Sequence, residues 1–222
     1  MKKKIIIASV FFILLMLSFV LVFTNVVADK IHTLPEIISQ IEENEMKINA
    51  LNDMLNCTHE LAEAKRAYGM NDDSTEIKNL KQNWDLLQKD KQDLIEENKK
   101  LKETKYNMEL DILSRVVYAE AGSDCISDEC QQLVAMVVIN RINDPRYPNN
   151  MYDVVFQRGQ YACTWDGGFK KQPNERAISN AKKALDGEVE CPPNVLGQAG
   201  FVQGKVYKAF PTPWDTVYFC YI

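Results

Sequence analysis

Apolar residues follow three successive patterns along the chain, and each predicts a different element. Residues 5–23, IIIASVFFILLMLSFVLVF, are apolar almost without interruption and follow Lys2, Lys3 and Lys4. This run is long enough to span a bilayer and longer than the usual apolar run of a signal peptide. The positive-inside rule then puts the N-terminus in the cytoplasm and everything after Asp29 outside. Val26-Val27-Ala28 offers small residues of the kind signal peptidase accepts. Length favours an uncleaved anchor over 1–28, and secretion after cleavage at Ala28 is the alternative. Either way the remainder of the chain is exported.

The second pattern is heptad. Leu34, Ile41, Ile48, Leu55 and Ala62 form one row, with Ile37, Asn44, Leu51 and Thr58 as its companion. The spacing predicts a helix over about 34–67, ended by Gly69. Asp73 and Glu76 suit a capping box for a second helix over about 75–107. There Leu80, Leu87, Leu94, Leu101 and Met108 lie seven apart, beside Ile77, Trp84, Lys91 and Asn98. An all-α coiled-coil stalk over 29–107 is expected. Two pairings fit it. A short loop at Gly69 permits an intrachain hairpin, whereas Asn98 in a seam suits a parallel homodimer. Cys57 beside the first seam could cross-link such a dimer, although a lone helical Cys more often packs as a small apolar residue.

From about residue 108 the heptads give way to a globular pattern of mixed periods. A helix ends near Gly122, and the polar loop SDCISDEC leads to another, capped by Asp128 with Gln131 at its third position. Residues 133–139 are apolar throughout, which predicts a helix buried on all sides. An amphipathic turn over 153–157 and an aromatic loop, QYACTWDGG, follow. A third helix is expected over 175–185, with Asn174 as cap and Gly187 beyond its end. Three short strands, 195–203, 206–210 and 216–221, complete the domain.

Composition then narrows the chemistry. The net charge is −5 with no basic footprint, so nucleic acid is not an expected partner. The two histidines, His32 and His59, both lie in the first half. Residues 108–222 therefore have no Ser-His-Asp or Cys-His machinery and no His-ligated zinc site. Neither a GxxxxGK[ST] nor a GxGxxG stretch occurs, and no CxxC spacing supports a metal, so no metal or cofactor is expected. Acid–base work in this domain falls to carboxylates, Tyr and Lys.

Among the carboxylates Glu120 stands apart. Leu113, Val117 and Glu120 fall at i, i+4 and i+7, so an apolar face ends in a carboxylate in the last turn before Gly122. Partial burial and the negative end of the helix dipole both raise its pKa. A carboxylic acid held protonated near neutrality is what a glycosidase needs to protonate its leaving-group oxygen. On position alone Glu120 reads equally as a solvated residue at a fraying helix end. Tyr161, Trp165 and Trp214 are the aromatics available to stack on sugar faces. Trp165 is the best placed of these, beside Asp166-Gly167-Gly168 in a loop without apolar periodicity.

The segment 115–161 resembles the SleB-type cell-wall hydrolases, the spore cortex-lytic enzymes and their relatives. The matching pieces are RVVYAEA at 115–121, VAMVVINRI at 134–142, YP at 147–148, VVFQ at 154–157 and GQY at 159–161. The helix over 177–185 followed by Asp186-Gly187 also matches. The resemblance implies an α+β lysozyme-like small catalytic domain, here preceded by a transmembrane helix and the coiled-coil stalk. It implies glycan cleavage in peptidoglycan with Glu120 as the catalytic acid, and Gln160 and Tyr161 lining the sugar cleft. No second carboxylate stands out, which fits a lytic transglycosylase. The loop GSDCISDECQQ departs from the family's Gly-Glu and Gly-Gln pattern, a difference expected at the rim of the cleft. Export permits disulfides, so Cys125 and Cys130 are expected to close this loop, with at most one further pair among Cys163, Cys191 and Cys220. The competing expectation is a catalytically inactive wall-binding protein whose coiled coil assembles an envelope complex. A lysis factor associated with phage or spore is a weaker third.

Overall fold

A computed structural model describes residues 33–213 and 215–222. The anchor read from residues 1–28 lies outside these, and so does Trp214. Among the described residues no helix is long and apolar enough to cross a membrane. The chain divides into two compact units, with the boundary between Lys102 and Glu103.

The first unit contains α1 (Leu34–Ala67) and the first part of α2 (Thr75–Ala121). The Thr33 backbone N–H donates to Glu36 Oε2 at 2.8 Å, which ties down the start of α1. Gly69, at φ 88°, takes the left-handed turn that ends it. Seven residues of the two expected heptad rows are buried, Leu34, Ile37, Ile41, Asn44, Leu51, Leu55 and Thr58, whereas Ile48 and Ala62 are only half-buried. Leu51 and Leu55 pack with Leu87, flanked by Met54, Trp84 and Leu94. Lys65 pairs with Glu76, and Lys102 with Glu45 at 2.7 Å. Residues late in α1 thus meet residues early in α2, and the reverse, so the two segments pair antiparallel within one chain. Of the two pairings the sequence allows, the structure shows the intrachain hairpin. Asn44 Nδ2 and Asn98 Oδ1 are buried in it without partners. Cys57 is exposed and free.

Two boundaries differ from expectation. The Ile77 N–H donates to Ser74 Oγ at 3.3 Å, so Ser74 rather than Asp73 caps α2. Asp73 instead sits 3.3 Å from Lys78. The helix also continues where a break was expected near residue 107. No Gly or Pro occurs between Thr75 and Ala121, so the change from heptad to globular patterning changes the helix's neighbours without ending it.

The second unit is built round α3 (Asp128–Asn143), which packs against α6 (Glu175–Leu185), β1 (Val195–Ala199) and α4 (Met151–Val155). Leu133 through Val138 are all buried, as their unbroken apolar run predicts. The cap of α3 is Ser127, one residue earlier than expected, and its side chain accepts from the Cys130 N–H. Asn174 caps α6 as predicted, accepting from the Ala177 N–H, and Gly187 follows at φ 77°. Beside these lies a three-stranded antiparallel sheet in the order β1–β3–β2, with β2 Lys205–Pro211 and β3 Thr216–Tyr221. β3 is central, which explains why Phe219 and Cys220 are buried. β2 is an edge, where Pro211 is tolerated. The aromatic loop is not wholly irregular: Cys163–Asp166 forms a short helix, α5, and Gly168–Lys170 a 3₁₀ turn.

Candidate active site

Leu113, Val116 and Val117 are buried at 0% exposure, and they fix the last turns of α2. Truncating Leu113 to Ala removes about 2–5 kcal/mol in such a core. The same face then presents Glu120, half-buried, one residue before the helix ends at Ala121. Gly122 follows for a reason other than the expected left-handed turn. A Cβ there would lie 2.2 Å from the Tyr118 carbonyl oxygen, so close packing against the helix end requires glycine.

Glu120 faces a cleft of about 700 Å³, within the range of ligand sites. One wall is α2 and its exit, with Tyr118, Ala119, Glu120, Gly122 and Ser123. The other is Ala162, Cys163, Asp166, Gly167, Gly168 and Lys171. The second wall is shaped locally. Gly167 adopts φ 88°, and the Gly168 N–H donates to Asp166 Oδ1 at 2.7 Å. Arg115 braces it from α2: Nε donates to Asp111 at 2.8 Å, and Nη1 reaches the Phe169 and Lys171 carbonyls at 3.4 Å each.

Burial is the largest influence on the Glu120 carboxyl and pushes its pKa above the ordinary value. The Cys163 thiol donates to the carboxylate and pulls the other way, and the charge of Asp166 pushes up again. Cys163 itself is pushed up to about 12, chiefly by burial and then by Glu120, so it stays a proton donor at any working pH.

Behind the site, Gln131 is wholly buried. Its Nε2 donates to the Ala121 carbonyl at 2.8 Å, satisfying an orphan acceptor at the end of α2. Its Oε1 accepts from Asn180 Nδ2 at 2.8 Å, and Asn180 also donates to Asp128 at 3.0 Å. Arg176 donates to Asp128 and to the Ile126 carbonyl, each at 2.6 Å. This network holds the loop after Glu120 without a covalent bridge. The disulfide expected between Cys125 and Cys130 is not formed. Cys125 is exposed with its sulfur 3.1 Å from Ser123 Oγ, whereas Cys130 is buried in α3. The two face different surroundings because Ser127 starts the helix between them. All five cysteines of this unit are free.

The other expected site residues are spread unevenly. Tyr161 is buried behind the cleft, its ring under the Arg141 guanidinium at 5.4 Å and its hydroxyl without a partner. Burial pushes that hydroxyl up to about 12, and Glu120 is among the groups that act on it. Gln160 is exposed, and Trp165 is 61% exposed between two residues of the cleft wall, Cys163 and Asp166. Sequence reasoning passed over Asp166 as a second carboxylate. The signal available was its place before two glycines, Gly167-Gly168, which aims a short side chain back into a turn.

A sequence profile of the Cell Wall Hydrolase family matches residues 127–215. The match begins after Glu120 and does not include that residue. The chain is 33% identical over 81 residues to the spore cortex-lytic enzyme of Bacillus subtilis. It is 30% identical over 80 residues to that of Halalkalibacterium halodurans. These alignments cover 36% of this chain, and the chain spans about a quarter of the length of each relative, 26% and 24%. The crystal structure of the catalytic domain of the Bacillus cereus SleB protein aligns with 50% of this chain and 88% of its own. The TM-score is 0.40 and the identity 21%. The ordered motifs, the matched profile and the curated relatives agree: the C-terminal part of this chain is similar to the cell-wall hydrolases of the SleB type.

Proposed function

We propose that residues 103–222 cut the glycan strands of peptidoglycan as a lytic transglycosylase with a lysozyme-like active site, using Glu120 first as acid and then as base. The observation that carries this reading is a half-buried carboxyl facing a 700 Å³ cleft, with burial raising its pKa. Glu120 gives that proton to the glycosidic oxygen, and the bond from this oxygen to the muramic acid C1 breaks. The resulting carboxylate then takes the proton of the C6 hydroxyl, whose oxygen closes on C1 to give a 1,6-anhydro end. Glu120 finishes protonated, and no water is consumed. The Cys163 thiol and the Asp166 charge act on it in opposite senses, which suits a group that must both give and take a proton in one cycle.

Asp166 favours a second reading. A carboxylate on the wall facing Glu120 could activate water and make the reaction hydrolytic. Mass spectrometry of fragments released from purified sacculi separates the two, by anhydro ends against reducing ends. Loss of all release in Glu120→Gln supports either chemistry. Release that persists rejects both, and a chain that binds sacculi yet never cuts is a wall-binding scaffold.

The same reading puts the domain outside the membrane, carried by an anchor at 1–28 and by the helical hairpin as a stalk. An intact N-terminus in the membrane fraction supports the anchor, and a mature chain starting at Asp29 rejects it.

A further inference from the structure

The short helix α4 is two-faced. Met151, Val154 and Val155 are buried and supply all of its packing on the core. Tyr152 and Phe156, one turn apart, point the other way and are 44% and 36% exposed. Their rings stack at 4.5 Å between centroids and 28° between planes. Phe156 in turn meets Phe169 edge-on, at 5.0 Å and 70°. Phe169 lies between Gly168 and Lys171, both of which line the cleft, and Arg115 covers one side of its ring at 5.9 Å. The row of rings therefore starts at the cleft wall and leads away from it. Among the described residues of this unit, the large exposed aromatics are Tyr152, Phe156, Trp165 and Phe201. One of the four, Trp165, lies in the wall segment itself, and two more, Tyr152 and Phe156, join that segment through Phe169.

We infer that Tyr152, Phe156 and Phe169 form a platform on which a glycan strand leaving the cleft lies, extending the contact beyond the sugars at Glu120. The inference rests on the glycan-cleaving reading above. Sugar rings present an apolar C–H face that packs on aromatic rings, while their hydroxyls and acetamido groups remain in water. The Arg115 guanidinium that covers Phe169 is paired with Asp111 at 2.8 Å, so what the row offers at its cleft end is the apolar ring face, continuous with the cleft wall through Gly168 and Lys171.

The test is pelleting of the full chain with insoluble purified sacculi, in a Glu120→Gln background so that nothing is cut. Tyr152→Ala with Phe156→Ala should weaken binding roughly tenfold, the effect of losing aromatic contact worth about 1.4 kcal/mol. Phe156→Leu keeps the apolar contact, loses the flat ring and should weaken binding by a smaller factor, guarding against loss of fold in the double variant. Phe201→Ala, on the loop between β1 and β2, should leave binding unchanged. Equal binding by the parent and both ring variants overturns the platform and leaves the cleavage reading untouched. Weakened binding by the ring variants, beside a wild-type chain that releases no fragments, upholds the platform and removes the cleavage reading.

Discussion

Replacing Gln131 by Met keeps the volume of a wholly buried side chain and removes both of its hydrogen bonds. The Ala121 carbonyl, at the end of the Glu120 helix, then has no donor in a dry environment, which costs about 1–3 kcal/mol. Asn180 keeps its bond to Asp128 and loses the one to Gln131, worth about 1 kcal/mol more. The expected loss is about 2–4 kcal/mol. At about 4 °C per kcal/mol for a domain of this size, Tm should fall by roughly 8–16 °C. Near-UV circular dichroism on heating reads this, since most of the chain's aromatic residues lie in the second unit. Gln132→Met is the comparison: its bond to Asn180 Oδ1 is only part-buried, so its Tm should fall by less. At temperatures where both chains are folded, Gln131→Met should still cut more slowly than the parent, because Ala121 neighbours the acid. A Tm within about 2 °C of the parent, with full activity, would refute the claim that this side chain anchors the helix end.

The pH profile of glycan release should have an alkaline limb set by Glu120, since the acid must carry its proton. Asp166→Asn removes a charge that raises the Glu120 pKa and should move the limb to lower pH; Cys163→Ala removes a donor to the ionised form and should move it higher. Stability follows the same group: a carboxyl raised by burial favours folding most below its unfolded pKa, and that stability is lost as pH rises through the folded pKa. Glu120→Gln should therefore raise Tm at pH 7, with the gain vanishing below about pH 4. A gain independent of pH would contradict it. Maleimide labelling without reductant should reach Cys125 in the folded chain and reach Cys130 and Cys163, both pushed up to about 12, only after unfolding. Protection of Cys125 alongside Cys130 would instead indicate a bridge.

The parts legible in the sequence were those fixed by local chemistry. The heptad rows, the turns at Gly69 and Gly187, the Asn174 cap and the buried run of α3 each depend on neighbours a few residues away. Their order and bounds agree with the structure to within one or two residues. Three features were not legible. The continuity of α2 was hidden because a change in hydrophobic period resembles a break, whereas helices are ended by Gly, Pro or lost caps. The Cys125–Cys130 pairing looked favourable from spacing, yet Ser127 begins a helix between them and turns Cys130 inward. The facing of Asp166 and Cys163 toward Glu120 is a tertiary contact over more than forty positions of sequence, and no periodicity reports it. The place of Glu120 in the last turn, on the face that continues Leu113 and Val117, was legible because helical register is a local property. Gly122 was expected for the right place and the wrong cause, since its constraint is the Tyr118 carbonyl and not a positive φ.

Direct titration of the Glu120 carboxyl by carbon NMR, with selective labelling and Glu120→Gln to assign the resonance, addresses the central claim most closely. The account predicts a midpoint above the ordinary glutamate value, falling in Asp166→Asn. A midpoint at or below that of a solvated glutamate would leave the cleft without an acid.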